Sequence, residues 1–245
     1  MPTLLFKDVG LVKGVRFDSW RRVGSAVQAV KVYNMREVDE LVFMDITATV
    51  EGREPDFATV DELADECFMP LTVGGGVRTI EDVGRLLRVG ADKVSLNTAA
   101  IERPDLITAA AERYGTQCVV VSLDARRTAT GYEVCTRAGT APTGIDPADA
   151  AAQAEARGAG EILITSIDRD GTMEGYDVPL VARVAAAVRI PVIAAGGAGS
   201  YEHMREALAG GGASAVAAAS MFHFTHQTPL EAKQYLQAHG FQMRR

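Results

Sequence analysis

Cysteine is scarce in this chain, with only Cys67, Cys118 and Cys135. None stands in a Cys-x-x-Cys or Cys/His ligand spacing, which argues against a zinc site. An odd number of cysteines without a signal peptide points to reduced thiols and a cytoplasmic setting. Met1 to Lys7 shows no charged segment leading into a long apolar run. No stretch reaches the roughly 18 apolar residues of a membrane span. Positive charge is in deficit: 25 Lys and Arg stand against 32 Asp and Glu, for a formal net charge of −7. That balance argues against nucleic acid or an anionic membrane as the main partner, while local basic or amide-lined sites can still hold a small anion. No linker or low-complexity tract divides the chain, so residues 1–245 are expected to form one domain. Nothing in the pattern calls for a metal or an organic cofactor.

What is present is a regular alternation. The 245 residues, 47% of them hydrophobic, are near the size of one (β/α)8 barrel. Short apolar runs at 3–6, 40–46, 71–73, 93–96, 118–123, 161–165, 192–194 and 215–218 read as strands. Amphipathic segments at 26–37, 57–66, 80–89, 104–114, 147–156, 179–188, 201–209 and 229–238 read as helices. A parallel crossover needs a covering helix, so this order predicts βαβ units. Strands that are apolar throughout are expected where both faces are buried. Eight such units predict a closed α/β barrel of the TIM type, with a doubly wound open sheet as the alternative. Two longer loops interrupt the rhythm, 7–24 and 125–144, and the second contains a candidate small hairpin at Tyr132-Glu-Val-Cys-Thr136.

The halves of the chain resemble each other. Met69-Pro-Leu-Thr-Val-Gly-Gly-Gly-Val77 matches Ile190-Pro-Val-Ile-Ala-Ala-Gly-Gly-Ala198, and Gly90-Ala-Asp-Lys-Val94 matches Gly212-Ala-Ser-Ala-Val216. Asp39-Glu-Leu-Val-Phe-Met-Asp45 likewise matches Gly160-Glu-Ile-Leu-Ile-Thr-Ser166. This pattern reads as two half-barrels with equivalent sites on opposite sides of one mouth.

The chemistry-bearing residues fall at strand ends. Gly75 and Gly76 follow strand 3 and Gly196 and Gly197 follow strand 7, where bare backbone N–H groups can approach an anion ahead of a helix. Thr98 and Ser220 lie at the matching ends of strands 4 and 8, with hydroxyls to donate. Duplication therefore predicts two phosphates on one elongated substrate. Between them stand Asp45, Asp124, Asp168 and Asp170, and carboxylates at the C-terminal ends of barrel strands read as catalytic. Asp170, followed by Gly171, also suits a turn cap. Strands 2, 4 and 6 begin with charge, at Glu40, Asp92-Lys93 and Glu161. Strand starts usually meet solvent, but alternate strands feed one interior layer, so a charged ring across the barrel floor is the sharper expectation.

Together these segments resemble the HisF family, the cyclase subunit of imidazole glycerol phosphate synthase. The likeness rests on Asp39–Ala48, Thr72–Val77, Ala91–Ala100, Gly160–Thr172, Gly196–Gly199 and Ala219–Phe224, and it covers nearly the whole chain. It implies a (β/α)8 barrel of two half-barrels that receives ammonia from a HisH-like glutaminase subunit on its N-terminal face. It implies a substrate with two phosphates, an aminoimidazole carboxamide bearing ribulose. Asp124 matches the second catalytic aspartate. Lys13, Gly75, Gly76, Thr98, Asp170, Gly196, Gly197 and Ser220 match substrate and phosphate positions, and Glu40, Lys93 and Glu161 match the ammonia gate. Where the first catalytic aspartate is expected, at the end of strand 1, this chain has Leu5. Asp8, in the following loop, is the candidate replacement if that loop rearranges. The chain starts about where the gate's arginine would precede strand 1. A branch of the family lacking the first aspartate resembles this chain at Ala29–Tyr33, Glu51–Asp56 and Glu66–Pro70, and it is associated with amidation of surface sugars. The leading expectation is an ammonia-using synthase subunit of that branch. A true histidine-pathway cyclase and a catalytically weak barrel that activates a glutaminase are the alternatives.

Overall fold

A computed structural model describes residues 1–8 and 10–244. The strands are β1 (Thr3–Lys7), β2 (Gly10–Val15), β3 (Asp18–Gly24), β4 (Leu41–Asp45), β5 (Leu71–Gly74), β6 (Lys93–Leu96), β7 (Val119–Thr128), β8 (Gly131–Thr136), β9 (Ala141–Pro142), β10 (Glu161–Ser166), β11 (Val192–Ala195) and β12 (Ala215–Val216). The helices are α1 (Ala26–Met35), α2 (Phe57–Ala64), α3 (Ile80–Arg88), α4 (Thr98–Glu102), α5 (Asp105–Tyr114), α6 (Pro147–Ala156), α7 (Val178–Ala185), α8 (Tyr201–Ala209), α9 (Ser220–Phe224) and α10 (Pro229–Ala238).

Eight strands, β1, β4, β5, β6, β7, β10, β11 and β12, pair in parallel in that order. The order never reverses, whereas a doubly wound sheet reverses at its switch point. The two ends of the curled sheet meet at a parallel bridge between Pro2 and Ala218. There Thr3 N–H donates to Ala218 O at 2.9 Å, and Ala218 N–H donates to Met1 O at 3.0 Å. The fold is the expected α/β barrel of the TIM type.

Alternation along each strand explains why the strands read as continuous apolar runs. Leu41, Phe43, Leu71, Val73, Val119, Val121, Ile162 and Ile164 face outward into the core shared with the helices. Val42, Val120, Leu163, Ile193 and Ala217 form a separate cluster inside the barrel. Side-chain caps fix several helix starts. Asp56 accepts from Thr59 N–H, Asp146 from Ala148 N–H and Asp177 from Leu180 N–H, each satisfying a donor that the first helical turn leaves free.

The largest departure from expectation is the first long loop. Residues 10–24 form a hairpin, β2 and β3, and β2 pairs antiparallel with the end of β1 through Leu5–Val12 and Phe6–Leu11. The turn is built from Arg16 and Phe17, both at positive φ, with Ser19 following in the same region. The usual glycine or asparagine turn signal is therefore missing from the sequence. The second long loop contains the expected hairpin, with β7 running on to Thr128 and pairing with β8. The short helices α4 and α9 were not expected; one and three residues separate their starts from the ends of β6 and β12, and each spans only five residues.

Candidate active site

A cavity opens at the C-terminal ends of the parallel strands. Its wall includes Gly75, Thr98, Gly196, Gly197 and Ser220. Gly75 and Gly197 sit at φ of +107° and +110°. A Cβ on Gly75 would lie 2.2 Å from Asp45 O, and one on Gly197 would lie 2.2 Å from Gly175 O. Only glycine fits either position, on both backbone angle and space. Gly76 lies just behind the wall, where its N–H donates to Thr49 Oγ1 at 3.1 Å, and Thr49 faces the cavity. Ser220 Oγ is buried without a hydrogen-bond partner among the described residues, so it is free to serve a ligand. Thr98 Oγ1 accepts from Arg137 N–H at 2.9 Å, which leaves its own proton to donate.

Asp124 ends the interior column of β7 and is buried in the wall between the two glycine loops. Its Oδ2 accepts from Asn97 Nδ2 at 2.8 Å. Burial pushes its pKa up to about 7; hydrogen bonds from Asn97 and Thr165 oppose the rise, and the charge of Asp170 adds to it. A carboxyl that titrates near neutrality can both give and take a proton at physiological pH. Lys13, on the β2 strand of the hairpin, is 2% exposed and pairs with both oxygens of Asp170, at 2.8 and 2.7 Å. The pair ties the hairpin across the mouth. Phe17 and Trp20 from the same hairpin complete that side of the wall.

Leu5 also faces the cavity, in register with Met44 of β4, while Leu4 and Phe6 are buried in the outer core. The end of β1 therefore offers hydrocarbon where β7 offers a carboxyl. Asp8 is exposed on the turn between β1 and β2, at φ +57°, and does not form part of the cavity wall. Asp45 is occupied by Thr47, Ala48 and Arg53, which fold the β4–α2 loop around it. Asp168 accepts from Arg127 N–H at 2.7 Å and so fastens the second hairpin.

At the opposite end of the strands, Lys93 Nζ donates to Glu40 Oε2 at 2.8 Å and to Glu161 Oε1 at 2.7 Å. Burial works to lower the Lys93 pKa, but its two carboxylate partners outweigh burial and the net direction is up. Stepping by two along each strand, Lys93, Ser95 and Asn97 form one inward-facing column, as do Glu161, Leu163 and Thr165. Val120, Ser122 and Asp124 form another. The charged floor and the cavity are thus two ends of the same interior, separated by the apolar cluster around Val42, Val120 and Leu163.

Asn97 and Thr165 were not singled out in the sequence. The available signal was position, since Asn97 directly precedes Thr98 at the end of β6 and Thr165 lies beside Asp124 in the β7–β10 register.

A TIM-type barrel with a neutral-titrating carboxyl and two related glycine loops at its mouth has the layout of a barrel enzyme, because such enzymes build their sites at this face. The family model described as "Histidine biosynthesis protein" matches residues 2–228. The chain belongs to that family, which includes HisF and related TIM-barrel proteins, and it is a HisF/HisA-like barrel enzyme. Among the described residues no helix is long and apolar enough to cross a membrane.

Proposed function

We propose that this protein is the ammonia-using synthase subunit of a glutaminase-coupled complex, acting on a phosphorylated substrate in an amidation pathway. The observation that carries the reading is the Glu40–Lys93–Glu161 cluster on the barrel floor, at the opposite end of the same barrel interior from Asp124. A HisH-like glutaminase docks on the floor and releases ammonia there. The apolar layer around Val42, Val120 and Leu163 favours neutral ammonia over ammonium, since an unpaired ion is costly to desolvate. Gly75, Gly76 and Thr98 hold one phosphate group, and Gly196, Gly197 and Ser220 hold the other. Lys13 and Asp170 contact the substrate beside them. Asp124 moves the proton as ammonia adds to the acceptor.

Leu5 is what separates this reading from histidine-pathway cyclisation. Acid–base catalysis by one group typically contributes about 10²–10⁴-fold, and a leucine side chain supplies none of it. Asp8 stands outside the cavity and replaces the missing group only if the β1–β2 turn is rebuilt.

The test supplies purified protein with the histidine-pathway bisphosphate and saturating ammonium salt, which bypasses the glutaminase. The expected result is tight binding without imidazole formation. Robust turnover would overturn the amidation reading in favour of a working cyclase. In the reconstituted complex with a HisH-like glutaminase and ¹⁵N-amide glutamine, Asp124→Asn should stop label reaching the acceptor while glutamine hydrolysis stays stimulated. Label transfer at the wild-type rate would remove Asp124 from the chemistry. Stimulated hydrolysis without label transfer by the wild type would leave only the glutaminase-activating role.

A further inference from the structure

The second glycine loop, between β11 and α8, is gripped from behind by two side chains that do not face the cavity. Gly199 N–H donates to His203 Nδ1 at 3.2 Å, and Gly199 O accepts from Gln227 Nε2 at 2.9 Å. The His203 ring also lies against Gly175, where a Cβ would stand 3.5 Å from its Cδ2. Gly175 N–H in turn donates to Gly197 O at 2.8 Å. His203 therefore supports the loop at Gly199 directly and at Gly197 through Gly175. In this arrangement Nδ1 is the acceptor of the Gly199 N–H.

The first half of the barrel shows what this histidine stands for. There the N-cap Thr79 accepts from Asp82 N–H at 3.1 Å, and Asp82 Oδ2 accepts from Arg78 and Thr79 N–H, both at 2.9 Å. In the second half the N-cap Ser200 accepts from His203 N–H at 3.3 Å, and His203 Nδ1 takes the N–H of Gly199. Asp82 and His203 thus occupy the same position, three residues after the cap, and each folds back onto the backbone just before its helix, Asp82 onto Arg78 and Thr79 and His203 onto Gly199. They differ in charge. A carboxylate there would place a negative charge behind a loop that presents N–H groups to an anion, whereas an imidazole ring does not.

We propose that His203 is a positioning residue for the second glycine loop, holding it in the shape that receives a phosphate group without adding negative charge behind it. This rests on the reading of Gly196, Gly197 and Ser220 as an anion site.

The test is calorimetric titration of the full chain with inorganic phosphate, with thermal melting of every variant in parallel. His203→Asn keeps an acceptor on a side chain of the length that Asp82 already uses, and it should bind within about twofold of wild type. His203→Leu should bind phosphate about tenfold more weakly at one site and unchanged at the other, the scale of one lost hydrogen bond. His203→Asp keeps the acceptor but adds charge, so it should bind more weakly than His203→Asn although both fold. Wild-type affinity in His203→Leu, or equal affinity in the Asn and Asp variants, would overturn the proposal. No phosphate binding by the wild-type chain would overturn the anion-site reading itself, and the proposal with it.

Discussion

Asn97 Nδ2 donates to Asp124 Oδ2 at 2.8 Å, joining the ends of two neighbouring barrel strands. The bond favours the ionised form of a carboxyl that burial otherwise holds neutral. Asn97→Ala removes that support and leaves the burial in place. The Asp124 pKa should then rise from about 7 by about one unit, the size of one hydrogen bond to a charged group. Carboxyl ¹³C titration by NMR reads the midpoint directly. A midpoint that stays or falls would mean that Asn97 does not set the charge on Asp124.

Asp170 acts on the same group in the opposite sense, because its negative charge raises the Asp124 pKa. Asp170→Asn deletes that charge and leaves Lys13 without its neutralising partner. Both changes favour the ionised Asp124, so its midpoint should fall. The same NMR titration checks the direction. The cost is stability, since a lysine only 2% exposed is left with an amide in place of a carboxylate. A lower urea midpoint is expected alongside the lower pKa.

Raising the pKa of an acid on folding has a defined effect on stability. The folded state binds the proton more tightly than the unfolded state, so Asp124 stabilises the fold below about pH 4 relative to higher pH. That contribution is lost as pH rises toward the folded value of about 7. Asp124→Asn escapes the loss. In the ligand-free protein it should be more stable than wild type at pH 8, by on the order of 2–4 kcal/mol, and no more stable at pH 4. Urea denaturation at the two pH values decides this, and an equal gain at both would point to a packing effect instead.

These couplings bear on how far the sequence could be read. The parallel strands were legible because burial on both faces turns them into apolar runs, as in Leu41–Asp45 and Glu161–Ser166. The glycine loops and Asp124 were legible because strand ends are where barrels place their sites. The hairpin at 10–24 was not. Its outer strand, Asp18–Gly24, has no buried residue and so no apolar alternation, and its turn uses Arg16 and Phe17 at positive φ. Lys13 and Asp170 are separated by 157 positions, and no local pattern announces their pairing. The backing of the second loop by His203 was hidden for a different reason: on an amphipathic helix a histidine in the first turn reads as surface.

Lys93 holds two carboxylates with one charge. Glu40 and Glu161 are 25% and 19% exposed at the side chain, and Glu161 Oε2 has no hydrogen-bond partner among the described residues. Lys93→Met leaves two neighbouring carboxylates facing each other with no cation between them. The cost at pH 7 should be about 1–3 kcal/mol, below the usual figure for a fully buried broken pair because water still reaches both acids. A second variant separates charge from packing. Adding Glu161→Gln to Lys93→Met removes the repulsion and should recover part of the loss. With the Lys93 pKa raised, the stability that the wild-type pairing contributes through the lysine charge should be fully present below the ordinary lysine range and lost only as pH climbs past it. If the double variant is no more stable than Lys93→Met alone, the lysine contributes through its aliphatic stem filling the barrel floor rather than through its charge.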